Sequence, residues 1–241
     1  MSSLREAWEE HAAEWVAWAG EPHLDSYWRF HRDAFLELVR EPGRRTLDLG
    51  CGEGRLSRDL KARGHDVVAL DASPTLLAAA READPSIETC LADAAALPFA
   101  DGAFDCVVAF MSLQDVDDFR SAIRESGRVL EPGGRLCLAI VHPINSAGRF
   151  ETFEPDGRFV IEGSYLASFR YQDTVERAGL EMTFVSDHRP LEDYVEALAD
   201  AGLVIDRIRE PSIPEAAIVD ERSRCWQRVP LFLHARAVKL G

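Results

Sequence analysis

Four short apolar runs, separated by stretches of helical periodicity, constrain this chain more than any other feature. RTLDLG (45–50), DVVALD (66–71), FDCVVAF (104–110) and GRLCLAIV (134–141) are rich in β-branched residues. Between them apolar side chains recur at helical spacing: Leu56 and Leu60, then Leu76, Leu77 and Ala80, then Ala122, Ile123, Val129 and Leu130. The pattern reads βαβαβ. Hydrophobicity in the runs is continuous rather than alternating, so each strand is expected to be covered on both faces, as in a parallel sheet between helical layers. The predicted class is α/β, with a core over residues 44–141.

The flanks differ from this core. Residues 1–43 are aromatic, with Trp8, Trp15, Trp18, Tyr27, Trp28, Phe30 and Phe35, and are expected to form a helical cap over the edge or mouth of the sheet. Residues 142–189 carry glycines among aromatics with poor periodicity, and are expected to form an inserted lid. In 190–241, LEDYVEALADAGL reads as a helix stopped by Gly202, and VIDRIREP and VPLFLHARAVKL read as strands that pair at the sheet edge. No fixed-period repeat or low-complexity stretch is present. With 46% hydrophobic residues the 241-residue chain can bury a core as one domain.

Charge narrows the partners. The formal net charge is −15, and no dense Lys/Arg block breaks it, so nucleic acid and anionic membrane surfaces are disfavoured. No apolar run reaches the roughly 18–20 residues of a membrane span, and MSSLREAWEEHAAEW lacks the features of a signal peptide. A cytoplasmic location is expected. The five cysteines (51, 90, 106, 137, 225) are scattered with no C-x-x-C pair, so neither a metal centre nor a disulfide framework is expected.

The chemistry-bearing signal is Asp48-Leu49-Gly50-Cys51-Gly52-Glu53-Gly54, where an apolar strand gives way to a helical pattern. Glycines there permit a tight turn and let a ligand approach bare backbone at a helix N-terminus. The next strand ends in Asp71, about 20 residues beyond the first glycine, where an acid can accept both hydroxyls of a ribose. Asp71 is equally a candidate cap for the helix that begins near Pro74, with Ser73 competing for that role. Both a dinucleotide enzyme and an adenosyl-sulfonium enzyme fit so far.

Spacing favours the second, since dinucleotide turns usually read G-x-G-x-x-G and this one reads D-x-G-x-G-x-G. Further on come Leu91-Ala92-Asp93-Ala94 with Leu97-Pro98-Phe99, then FDCVVAF, then Leu130-Glu131-Pro132-Gly133-Gly134. Together these motifs resemble the class I S-adenosylmethionine-dependent methyltransferases, especially the broad small-molecule group that includes quinone-biosynthesis enzymes. The likeness is detailed over 44–141 and looser over 190–240. It implies a Rossmann-like seven-stranded sheet in the order 3-2-1-4-5-7-6 with the last strand antiparallel, helices on both faces, and the lid inserted between strands 5 and 6.

Residue by residue, the resemblance implies that Gly50 and Gly52 hold the methionine part of S-adenosyl-L-methionine, with Asp48 near its ammonium. Asp71 takes the ribose hydroxyls, and Asp93 with Ala94 addresses the adenine. Ala72 and Leu97 flank the purine, and Phe110 and Met111 lie beside the sulfonium. Pro132-Gly133-Gly134 is assigned to architecture. The implied reaction is in-line transfer of a methyl group to a small-molecule acceptor. His142, at the end of the fifth strand, is the first candidate base and His188 the second.

Trp15 and Tyr27 are the first candidates to close over the cofactor, against a background in which they, Trp28 and His31 are simply core. Tyr165, Phe169 and Tyr171 are candidates for the acceptor pocket, and Arg149, Arg158 and Arg170 for pairing an acidic acceptor. Three alternatives stay open: an NAD(P)-dependent oxidoreductase, a nucleotide-binding module without transferase activity, and a protein or RNA acceptor, with RNA opposed by the charge.

Overall fold

The computed structural model describes residues 2–39, 41–218 and 221–241. The N-terminal segment forms α1 (Leu4–Glu10) and α2 (Ala12–Ala19), then a π-helical turn, Tyr27–His31, that runs into α3 (Arg32–Leu36). The core alternates β1 (Thr46–Leu49), α4 (Arg55–Ala62), β2 (Val67–Asp71), α5 (Pro74–Ala83), β3 (Glu88–Leu91), β4 (Phe104–Phe110), α6 (Phe119–Val129) and β5 (Leu130–Val141). Beyond it lie α7 (Pro143–Ser146), β6 (Gly148–Phe150), β7 (Phe159–Ile161), β8 (Phe169–Arg177) and β9 (Leu180–His188). The chain closes with α8 (Leu191–Asp200), β10 (Leu203–Arg209) and β11 (Phe232–Lys239).

Seven strands make one sheet in the order β3-β2-β1-β4-β5-β11-β10. Neighbours from β3 to β5 are parallel, and β11 is antiparallel to both β5 and β10. This is the expected order, with β10 and β11 as the sixth and seventh strands. The strands of the centre are buried on both faces, as their continuous hydrophobicity requires. On β4, Val107 and Ala109 pack with Ala122, Ile123 and Val129 of α6 and Leu198 of α8. Cys106, Val108 and Phe110 pack on the opposite side with Leu56 and Leu60 of α4 and Phe35 of α3. Among the described residues no helix is long and apolar enough to cross a membrane.

The segment between β5 and α8 holds two antiparallel ribbons, β6–β7 and β8–β9. The β8–β9 ribbon turns tightly through Ala178 (φ 50°) and Gly179 (φ 80°). Positive φ at both central residues is the backbone that matches the twist of paired strands. The N-terminal helices pack on β9: Trp8 Nε1 donates to Val185 O at 3.0 Å, and Trp18 and Leu24 bury Met182. Glu9 on α1 accepts hydrogen bonds from Ser73 and Thr75 at the start of α5. α1 and α2 therefore bridge the ribbon and the core across the mouth of the sheet.

Candidate active site

The carboxyl ends of β1, β2, β3 and β4, the N-terminal helices and the inserted ribbons enclose one cleft of about 1120 Å3. It opens where the strand order reverses between β1 and β4, the place where open α/β sheets bind ligands. The glycine turn forms its floor. Gly50, Gly52 and Gly54 have φ of 72°, 58° and 82°, and the N–H groups of Gly50 and Cys51 both donate to Leu70 O, locking the end of β1 to β2. A Cβ on Gly50 would stand 2.4 Å from Ser112 Cβ, and Ser112 Oγ donates to Leu49 O at 2.6 Å. Only glycine lets the tips of β1 and β4 approach this closely.

Asp71 is oriented by two backbone donors, Gly52 N on one oxygen and Ser73 N on the other, each at 2.8 Å. The cap of α5 is Ser73, whose Oγ accepts from Leu76 N. Asp71 therefore does not cap the helix, and both of its oxygens keep acceptor capacity for donors in the cleft. Burial raises its pKa, partly offset by those amide bonds. Asp48 lies deeper, accepting from Ser57 Oγ at 2.5 Å, and burial lifts its pKa to about 7. Asp93 is exposed at the rim and closes its own turn by accepting from Ala95 N.

At the end of β4, Phe110 faces the cleft and Met111 adopts φ 58°, a left-handed conformation uncommon for a residue with a side chain. Gln114 Nε2 donates to Met111 O at 2.6 Å, which leaves the buried Oε1 of Gln114 without a partner. Beside it, Asp115 accepts from Ser186 Oγ at 2.6 Å, and burial lifts its pKa to about 8. The Arg189 guanidinium donates to the carbonyls of Leu113, Gln114 and Val116 and to Asp187, pinning this turn from behind.

Trp15 roofs the glycine turn, its Nε1 3.3 Å from where a Cβ on Gly52 would be. The Arg55 guanidinium stacks on Trp15 and on Tyr27, 4.7 and 4.6 Å from the ring centroids, and pairs with Asp25 at 2.8 Å. Of the expected residues, Asp48, Gly50, Gly52, Asp71, Ala72, Asp93, Ala94, Phe110, Met111 and Trp15 all line the cleft. Tyr27 does not. It is fully buried behind the wall, its ring edge-on to Phe110 at 5.3 Å and its hydroxyl donating to Asp59. Leu97 likewise belongs to the core under α6 rather than to the cleft.

The two expected bases are not brought to the cleft either. His142 Nδ1 accepts from Ile144 N and its Nε2 donates to Glu210, so the ring caps α7. His188 is fully buried, with Nε2 donating to Tyr165 O and Nδ1 therefore accepting from Ser146 Oγ. Both nitrogens of each ring are committed to structure. In the insertion, Tyr171 and Arg149 line the cleft, Phe169 stacks on His188, and Arg170 pairs with Asp117 and Asp187. Sequence reasoning passed over Ser112, Gln114 and Asp115, although their place directly after the fourth strand was a usable signal.

The fold is that of the Rossmann-like methyltransferases, and residues 47–138 match the family model described as a methyltransferase domain. Two curated relatives are demethylmenaquinone methyltransferases. The one from Beutenbergia cavernae is 40% identical over 116 residues, 48% of either chain. The one from Thermus thermophilus is 42% identical over 120 residues, 47% of this chain and 54% of its own. The chain thus spans about half the length of the curated relatives it matches. The crystal structure of an S-adenosylmethionine dependent methyltransferase from Mesorhizobium loti superposes over 91% of this chain and 100% of its own, with a TM-score of 0.73 and 26% identity.

Proposed function

We propose that the protein transfers a methyl group from S-adenosyl-L-methionine to a small-molecule acceptor. The observation that carries this is the convergence of four strand ends on one cleft, the glycine turn, Asp71, Asp93-Ala94 and Phe110-Met111, within a segment that matches a methyltransferase domain. The likeness to demethylmenaquinone methyltransferases supports a small metabolite as acceptor.

The residues present fit that cofactor. Asp71, held from behind by two amides, accepts the two ribose hydroxyls. Asp93 accepts from the adenine amine and Ala94 borders the ring. Gly50 and Gly52 bring backbone against the methionine part, and Asp48 offsets its ammonium. A cation in the cleft favours the ionised forms of Asp48 and Asp115, whose burial otherwise holds protons on them. Trp15, with Arg55 stacked beneath, excludes water from above the glycine turn.

Bound S-adenosyl-L-methionine supplies a carbon already activated by positively charged sulfur, so the chain's task is chiefly to hold an acceptor in line with it. Residues 1–43 serve as the cap, 44–141 as the cofactor core, 142–189 as the acceptor-facing insertion and 190–241 as the closing helix and strand pair. Thermal unfolding tests the reading: S-adenosylhomocysteine is expected to raise Tm where NAD(H) does not. Stabilisation by NAD(H) alone would favour an oxidoreductase instead.

A further inference from the structure

The cleft has a second end, chemically unlike the carboxylate-lined one. Beyond the tips of β4, β5 and β11 it is walled by Phe30, His31, Phe110, Phe150, Trp226 and Phe232. Phe232, the first residue of β11, pairs in register with Val141, the last of β5, so this part of the cleft lies at the end of β5 and the start of β11. Phe150 and Trp226 meet edge to face at 4.8 Å. His31 is stacked on Phe232 at 4.0 Å and on His234 at 4.6 Å, and lies 4.6 Å from Phe110.

His31 is the one histidine of seven that lines the cleft among the described residues. It is 1% exposed, and its Nε2 has no hydrogen-bond partner. A buried polar atom left unpaired costs about 1–3 kcal/mol. Aromatic lining favours a planar ring, and a hydroxyl on that ring can either donate to or accept from an imidazole nitrogen. Resting on the methyltransferase reading, we propose that this lobe takes an aromatic hydroxyl acceptor and that His31 removes its proton during transfer.

The step balances. The acceptor oxygen bonds to the methyl carbon as the carbon–sulfur bond breaks, with that bond's electron pair going to sulfur to leave a neutral thioether. The hydroxyl proton passes to neutral His31. One positive charge thus leaves sulfur as one arises on the imidazole, and the cleft's net charge is unchanged. The groups facing His31 are His234 from β11 and Arg55 from α4, the latter paired with Asp25. Burial, with these neighbours, keeps His31 neutral well below the usual histidine range, so the proton-accepting form is present at neutral pH.

The probes are 2-naphthol and naphthalene, titrated into the complex with S-adenosylhomocysteine. The parent is expected to bind 2-naphthol at least about tenfold more tightly than naphthalene, one hydrogen bond's worth. His31→Ala and His31→Gln should lose that preference while binding S-adenosylhomocysteine within about threefold of the parent, which also reports that they fold. Transfer to 2-naphthol should fall by about 100-fold or more in both variants. The parent's rate should be flat from about pH 6.5 to 8.5, whereas the variants' rate should rise with pH as naphtholate forms unaided.

Equal binding of the two probes, an undiminished preference in His31→Ala, or turnover by the variants with the parent's pH profile would overturn the assignment. Absence of S-adenosylhomocysteine binding by the parent would instead overturn the methyltransferase reading itself.

Discussion

Asp71 is the residue on which the proposed cofactor site depends most, because Gly52 N and Ser73 N orient its two oxygens where it lines the cleft beside the glycine turn. Asp71→Ala removes a charge-assisted acceptor worth about 1.5–3 kcal/mol, so affinity for S-adenosylhomocysteine should drop about 10- to 100-fold by calorimetry. Gly50→Ala should be worse for the fold than for the chemistry. Its Cβ would collide with Ser112 at 2.4 Å on a backbone with φ 72°, and a lowered Tm with broadened unfolding is expected.

Asp48 and Asp115 make stability depend on pH. Both pKa values are raised from 3.8 in the unfolded chain, to about 7 and about 8, so the native state binds extra protons between those limits. Their contribution is full below about pH 3.8 and is lost as pH rises through about 7 for Asp48 and about 8 for Asp115. Ligand-free protein should therefore have a lower Tm at about pH 8.5 than at pH 6, and Asp115→Asn should reduce the difference. An unchanged difference in the variant would show that Asp115 ionises normally in the folded protein.

At the scale of elements, the turn between β4 and α6 depends on a side chain distant in sequence. Arg189 satisfies three carbonyls of that turn and is 5% exposed, so Arg189→Ala should cost about 3–5 kcal/mol, read as a shifted denaturant midpoint. Lysine should not rescue it, since an ammonium lacks the planar fork that reaches several oxygens at once.

This dependence also explains what could be read in advance. The β1 turn was legible because glycine, strand and helix signals are contiguous, and Asp71 because its strand is short and wholly apolar before it. β8 was not: FRYQDTVER is mostly exposed with charges on both faces, and its strand character comes from pairing with β9. His142 and His188 lie away from the cleft, because strand position gives a residue's height on the sheet but not its hydrogen-bond partners. His31 sat among aromatics that read as core, and it took β11, folded back beside β5, to set Phe232 and His234 against it.

Across the whole molecule, the carboxyl ends of the central strands carry both the acidic side chains of the cleft and, beside β5 and β11, a cluster of aromatic ones, with α1 and α2 packed over the glycine turn. A ligand that bridges cap and core should stabilise the chain by mass action, by about 2.7 kcal/mol at a hundredfold excess over Kd. The most direct measurement is a calorimetric titration of the intact protein with S-adenosylhomocysteine, run beside Asp71→Ala. Saturable one-to-one binding that the substitution weakens at least about tenfold is the predicted result. No heat from the parent, or an affinity that Asp71→Ala leaves unchanged, would contradict the assignment of this cleft to the methyl donor.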